Sequence, residues 1–471
     1  MIADLRPYSE YKESGLPWLG PVPTHWDVRP AFGVFAPNRD SNAGMKEKTV
    51  LSLSYGRIII KPAEKLHGLV PESFETYQIV NPGDIVIRPT DLQNDHTSLR
   101  VGIARDRGII TSAYLALQVS GGVSPDFGFQ FLNVWDTSKA IYGYGSGLRQ
   151  NLDFSHFKRM PVAVPPVAEQ ATIVRFLDWA NGRLERAIRA KRKVIALLNE
   201  QRQAIIHRAV TRGLDPSAPL KPSGIPWLGD IPQHWKVLRA KYLYREVDER
   251  SASGAEELLS VSHLTGVTPR SQKNITMFKA ASYVGHKICR AGDLAVNTMW
   301  AWMGALGVSS HVGIISPGYA VYRPHRPDRI VGAYMEGLLR SRPYISNIIC
   351  HSTGLRGSRL RLYPEDFFRL PIIQPPTEEQ RRIVEAIRAE TGDMNTAISR
   401  LEREVELLRE YRTRLVADVV TGKLDVREAA AQVPEEPSLR EEADVSPALD
   451  EEGDVAEESD GGLVAARTGP Q

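Results

Sequence analysis

Six side chains of hydrogen-bonding type crowd one short stretch of the chain: Arg88, Gln93, Asn94, His96, Ser98 and Arg100. Arginine presents a donor fork that fits guanine, and Asn or Gln pairs with the edge of adenine. Such a stretch is equipped to read bases, with nearby cations on phosphate setting register. A second loop, Gly147-Leu148-Arg149-Gln150, sets glycine beside Arg149 and Gln150, which permits close approach to a phosphate. Related stretches lie about 207–209 residues further on: Asn297, Thr298, Trp300 and Trp302, then Gly354-Leu355-Arg356-Gly357-Ser358-Arg359, with Arg361 beyond. The two tryptophans are more often core or interface anchors than base contacts.

Residue sets for catalysis are missing. There is no GxxxxGK[ST] phosphate loop, no GxGxxG opening a helix after a strand, no HExxH, and no Asn-Pro-Pro-aromatic tetrapeptide. With Cys289 and Cys350 as the two cysteines, there is no CxxC pair for a thiolate zinc site or a disulfide framework, and a reducing, cytoplasmic setting is expected. Asp84 and Asp293 each follow a glycine before an apolar run and are expected to stabilise turns. No metal, no bound cofactor and no catalytic residue is therefore expected of this chain, which leans towards binding.

These residues need a scaffold, and it is written twice. SGLPWLGPVPTHWDV (14–28) and SGIPWLGDIPQHWKV (223–237) agree at ten of fifteen positions. Gly83-Asp84-Ile85-Val86 aligns with Gly292-Asp293-Leu294-Ala295, and Gly147-Leu148-Arg149 with Gly354-Leu355-Arg356. Pro161, Pro165, Pro166, Glu169 and Gln170 match Pro371, Pro375, Pro376, Glu379 and Gln380. A period near 210 residues means two copies of a whole module. Their interiors, 88–110 and 297–315, differ, as expected of one device aimed at two targets. His25-Trp26 and His234-Trp235 recur and so cannot discriminate targets; packing or partner contact is expected of them.

Each module opens with a globular part rich in Gly, Pro and short β-branched runs, the pattern of strands between turns. The runs Val50-Leu51, 58–60, 84–87 and 115–117 predict strands, and 127–139 and 329–340 short helices. A long helix follows. Its heptad seam holds Val174, Leu177, Leu184, Ile188, Ile195, Leu198 and Ile205 in the first copy. In the second it holds Val384, Ile387, Met394, Ile398, Leu401, Val405, Leu408 and Leu415. Each helix is about 60 Å long and needs a partner, the obvious one being its own repeat, folded back antiparallel. Asn181, Arg202, Thr391 and Arg412 interrupt the seam and would fix its register.

The expected class is α+β: two mixed α/β globular domains in a pseudo-two-fold repeat, separated by two long helices forming an antiparallel coiled coil. The divisions are 1–27 N-terminal scaffold, 28–165 first domain, 166–213 central helix, 214–236 linker repeating 5–27, 237–375 second domain, 376–424 distal helix and 425–471 disordered acidic tail. The tail is set apart by charge: residues 427–471 hold 13 acidic and three basic side chains, against 43 acidic and 56 basic in 1–426. A basic body suits a polyanion such as nucleic acid. Hydrophobic content of 42% supports real cores, no apolar run approaches about 18 residues, so no membrane partner is expected, and the polar N-terminus does not read as a signal peptide.

Taken together, SG[LI]PWLG..P.HW, a variable interior, and PxxxPPxxEQxxIV opening a long helix, all repeated, resemble the DNA-specificity subunit of type I restriction–modification systems. The stretch 292–324 also looks like a target-recognition domain of that family, and the likeness spans residues 14 to about 425. The resemblance implies a non-catalytic chain reading a bipartite, asymmetric site in double-stranded DNA. It implies docking to two adenine methyltransferase subunits, with motor-nuclease subunits joining for cleavage. S-adenosylmethionine, ATP and Mg would belong to those partners. Half-sites on one face of the duplex then suggest an unread gap of about 5–8 base pairs. The alternatives are a methyltransferase or endonuclease with an unrecognised motif, or a coiled-coil adaptor without DNA contact.

Overall fold

The computed structural model describes residues 5–62, 73–95, 99–272, 282–354 and 360–434. They form two units. The first comprises Met1–Arg192 with Glu402–Glu442, and the second is built on Lys193–Leu401. Each unit therefore takes its helical part from both long helices, Val167–Arg212 and Thr377–Val420, rather than from the one that follows it in sequence.

In the first unit a four-stranded antiparallel sheet runs in the order Phe35–Pro37, Leu115–Val119, Ile85–Ile87, Val101–Ile103. Ile85, Val86 and Ile87 are all buried, because both faces of the sheet are covered. Ile85 and Ile87 pack with Phe127, Phe131 and Trp135 of the helix Pro125–Thr137, whereas Val86 packs with Leu51, Val80 and Ile110 on the other side. The period-two alternation of strand side chains explains the split. The helix starts two residues earlier than predicted. Ser124 accepts from Phe127 N at 3.3 Å and Pro125 stands at the first turn, a pre-set start. Its end also recedes, since Lys139 lies at φ 64°.

The second unit repeats this order with Tyr244–Glu246, Ala320–Pro324, Leu294–Val296 and Leu306–Val308. The predicted helix at 329–340 is Gly332–Leu339. Two further helices, Arg342–His351 and Pro364–Arg369, went unpredicted, although each carries a proline in its first turn.

The repeated motifs meet in a separate two-stranded pair in each unit. Asp27–Pro30 pairs with Pro161–Val164, and Lys236–Arg239 with Pro371–Gln374. In the first unit Glu169, at the helix start, accepts from Tyr8 Oη (2.6 Å) and Trp26 Nε1 (3.0 Å) and bonds His25 Nε2 (2.8 Å). In the second, Glu379 bonds Trp235 Nε1 (3.1 Å) and His234 Nε2 (2.7 Å). The next residue clamps the loop beside it: Gln170 accepts from Ser124 N at 2.8 Å and Gln380 from Val331 N at 2.9 Å. The Glu-Gln pair is thus the fastener between scaffold and helix. Trp26 and Trp235 are fully buried. A Cβ on Gly422 would lie 3.2 Å from Trp26, and one on Gly213 3.3 Å from Trp235; both glycines sit at φ +76°. Each helix end is therefore docked on a repeated tryptophan.

Within the first unit the two helical segments run antiparallel. Glu185 accepts from Arg412 at 2.9 Å, and Lys191 pairs with Glu404 further on. Leu177, Leu184, Ile188, Val405 and Leu415 are buried there, with Val174 and Leu408 half-buried. Ile173, Phe176 and Ala180 are also buried, so the apolar stripe near the helix start is wider than a heptad seam because it packs on the globular part. Within the second unit Arg202 donates to Asn395 at 2.9 Å, and Arg208 lies 3.7 Å from Glu390, again antiparallel. Val384 and Ile398 are buried; Ile195, Leu198, Ile205, Ile387, Met394 and Leu401 are half-buried.

The acidic tail begins later than its composition implies. Asp425 N donates to Arg6 O at 2.7 Å, and Arg427–Ala431 is helical. Ala429, Ala430 and Val433 sit in the first unit's core. Apolar anchors inside an acidic stretch overrode its charge. The rest of the predicted tail lies outside the described residues.

Candidate nucleic-acid interface

The stretch expected to read bases leaves the sheet at Ile87 and is wound around one cation. Arg100, predicted as a base contact, is fully buried. It donates to the carbonyls of Arg88 (3.2 Å), Thr90 (2.7 Å), Asp91 (3.2 Å) and Asp95 (2.6 Å), and to Tyr142 Oη (3.3 Å). Its backbone N–H donates to buried Asp136 at 2.6 Å. All its donors point inward, so it shapes the loop and cannot reach a base. Burial pushes the Asp136 carboxyl above its ordinary range, against the pull of that N–H and of nearby cations.

On this support Gln93 and Asn94 are exposed and Arg88 is half-exposed. Asn94 donates to Asp91 Oδ1 at 2.7 Å, and Arg88 lies 3.5 Å from Asp95. His96 and Ser98 lie outside the described residues.

The second predicted loop is bonded to the first. Asp91 N donates to Asn151 Oδ1 (3.1 Å), Leu152 N to Pro89 O (2.8 Å) and Leu92 N to Gln150 O (3.4 Å). Arg149 is exposed at its tip. Gln150 is a correction: its side chain donates to Tyr142 O (2.6 Å) and Tyr144 O (2.8 Å), bracing the loop from below. Leu148, to which no role was given, is 98% exposed.

The second unit joins the matching places: Leu362 N donates to Thr298 O at 2.9 Å. Asn297 and Thr298 are buried, a second correction. Asn297 Oδ1 accepts from Met299 N (3.2 Å) and Thr298 Oγ1 donates to Gly318 O (2.8 Å). Both directly follow the buried strand Leu294–Val296, a position that favours the interior. Trp300 and Trp302 are half-buried and stacked, ring centres 6.0 Å apart. Arg361 is exposed and its backbone pairs with Thr353. Arg356, Ser358 and Arg359 lie outside the described residues. In each unit the segment that follows the central strand is hydrogen-bonded to a segment further along the chain: 89–92 to 150–152 in the first, and Thr298 to Leu362 in the second.

Asp84 and Asp293 close the turns before the central strands: Asp84 accepts from Asn81 N (2.8 Å) and Asp293 from Arg290 N (2.9 Å). Asp293 also takes both donors of Arg323, at 2.8 and 2.7 Å. Among the described residues no helix is long and apolar enough to cross a membrane, and no group of three or more His, Cys, Asp or Glu is placed to hold a metal ion.

No family model matches the chain, and no curated protein matches it. Solved structures do. A chain from a structure concerned with complex assembly and conformational transition of the type I R-M system shares the fold with a TM-score of 0.55 at 15% identity, covering 86% of this chain and 99% of that one. The HsdS subunit from Thermoanaerobacter tengcongensis aligns over 86% of this chain and 98% of that one at 16% identity, TM-score 0.39. The type I restriction–modification S subunit from M. genitalium aligns over 84% and 96% at 11% identity, TM-score 0.33. The mixed helix-and-strand fold implied by the repeated motifs is the fold found in the first of these.

Proposed function

We propose that this chain is the DNA-specificity subunit of a type I restriction–modification complex and does no chemistry itself. Each unit reads one half of a bipartite, asymmetric site in double-stranded DNA. The reading is supported by the hydrogen-bonded pairing of two chain segments just past the central strand in both units, 89–92 with 150–152 and Thr298 with Leu362, beside unlike residues: Arg88, Gln93 and Asn94 in one, Trp300, Trp302 and Arg361 in the other. Shared scaffold with unlike edges fits two targets. The long helices act as the spacer that fixes the gap between half-sites. Two adenine methyltransferase subunits dock on the repeated scaffold, motor-nuclease subunits join for cleavage, and S-adenosylmethionine, ATP and Mg act on those partners.

The test pairs two measurements on the purified chain. Duplex binding followed by fluorescence anisotropy over a salt series should weaken steeply as salt rises, since phosphate neutralisation releases counterions. Plasmid incubated with the chain and labelled S-adenosylmethionine should gain no label and suffer no cut until a methyltransferase partner is added. Label transfer or cleavage by the chain alone overturns the proposal. So does salt-independent or absent duplex binding, alone and with the partner.

A further inference from the structure

Leu148 stands out on the first unit because nothing in the fold uses it. It is 98% exposed, at the tip of the loop 145–151. The loop is braced. Ser146 and Asn151 exchange backbone hydrogen bonds at 3.0 and 2.9 Å, Gln150 N donates to Gly147 O at 2.9 Å, and Gly145 and Gly147 sit at φ +92° and +86°. A rigid turn therefore holds an apolar side chain out in water.

Three observations say what it meets. The loop is bonded to the 89–95 stretch through Asp91, Leu92 and Leu152, so Leu148 stands beside the residues proposed to read bases. Its exposed neighbours in sequence, Ser146, Gly147 and Arg149, are polar, charged or without a side chain, unlike the contiguous apolar surface that a protein partner covers. And Gly-Leu-Arg recurs in the second copy, where the reading stretch has otherwise diverged. A residue kept while the reading residues change does a task common to both targets.

Resting on the DNA-reading function above, we infer that Leu148 is a wedge: it inserts between stacked base pairs while Arg149 holds the adjacent phosphate, unwinding the duplex without regard to sequence. Isolated apolar side chains beside cations are the means by which proteins unstack and kink DNA.

The experiment relaxes a supercoiled plasmid with topoisomerase in the presence of the full-length chain and reads the change in linking number per bound protein. Wild type shifts the distribution. Leu148→Ala, with unchanged thermal stability and with the shift normalised to the protein bound, reduces the shift about two-fold or more, and Leu148→Met restores it. A wild-type shift from Leu148→Ala overturns the wedge, as does binding of wild type with no shift at all; either result leaves the reading function standing. Absence of DNA binding removes both.

Discussion

Arg100 and Arg149 show how one residue type takes opposite tasks. Arg100 ties four backbone carbonyls and a tyrosine together inside the loop, whereas Arg149 stands in solvent at the tip of the next one. Removing Arg100 leaves buried acceptors without donors, each a substantial loss. Arg100→Ala should lower unfolding stability by about 3 kcal/mol or more, read by chemical denaturation. Arg149→Ala should change stability by less than about 0.5 kcal/mol while lowering the slope of log K against log salt by about one. Equal melting of both variants would contradict the assignment. The cysteines divide the same way. Cys289 is buried and its thiol is pushed up to about 12, mainly by burial, while Cys350 is exposed. At pH 8 one thiol should react promptly with a disulfide reagent and the second only in denaturant; two fast thiols would contradict the packing. Charge type was legible in the sequence at these positions, but direction was not. Arg100, Asn297 and Thr298 abut buried strands, and only the three-dimensional path of the loop turns them inward.

At the scale of elements, the strands and long helices were legible because their patterns are strong: Ile85-Val86-Ile87 is apolar throughout, and the seam positions recur over five heptads. The helices Arg342–His351 and Pro364–Arg369 were not, being short. The stretch 425–434 was misread because composition averaged its anchors Ala429, Ala430 and Val433 into the acidic residues that follow. That gives a truncation test. A chain ending after Pro434 should melt with the full-length protein. One ending after Leu424 should lose about 2–4 kcal/mol, because four apolar residues, Val426, Ala429, Ala430 and Val433, leave the core and Arg6 loses its backbone partner. Identical melting of both truncations would show that the terminal helix is not part of the core.

For the whole molecule, duplication is the organising fact. Strand order, the Glu-Gln fastener and the tryptophan that seats a helix end all occur twice. It was legible from the identities alone. The composition of each unit was not, because a linear reading gives every helix to the module before it, whereas each unit draws on both helices. If the helices are the spacer, one heptad added to both, at about 1.5 Å per residue, should widen the unread gap by about three base pairs and leave each half-site unchanged. Altered half-sites with the old gap would contradict the spacer role.

If two unlike readers on one chain direct chemistry performed by others, genome-wide mapping of adenine methylation in a host carrying this chain with its methyltransferase partner should give a split, asymmetric motif with a fixed gap, lost when the chain is deleted. A contiguous motif, or methylation that persists unchanged without the chain, would contradict it.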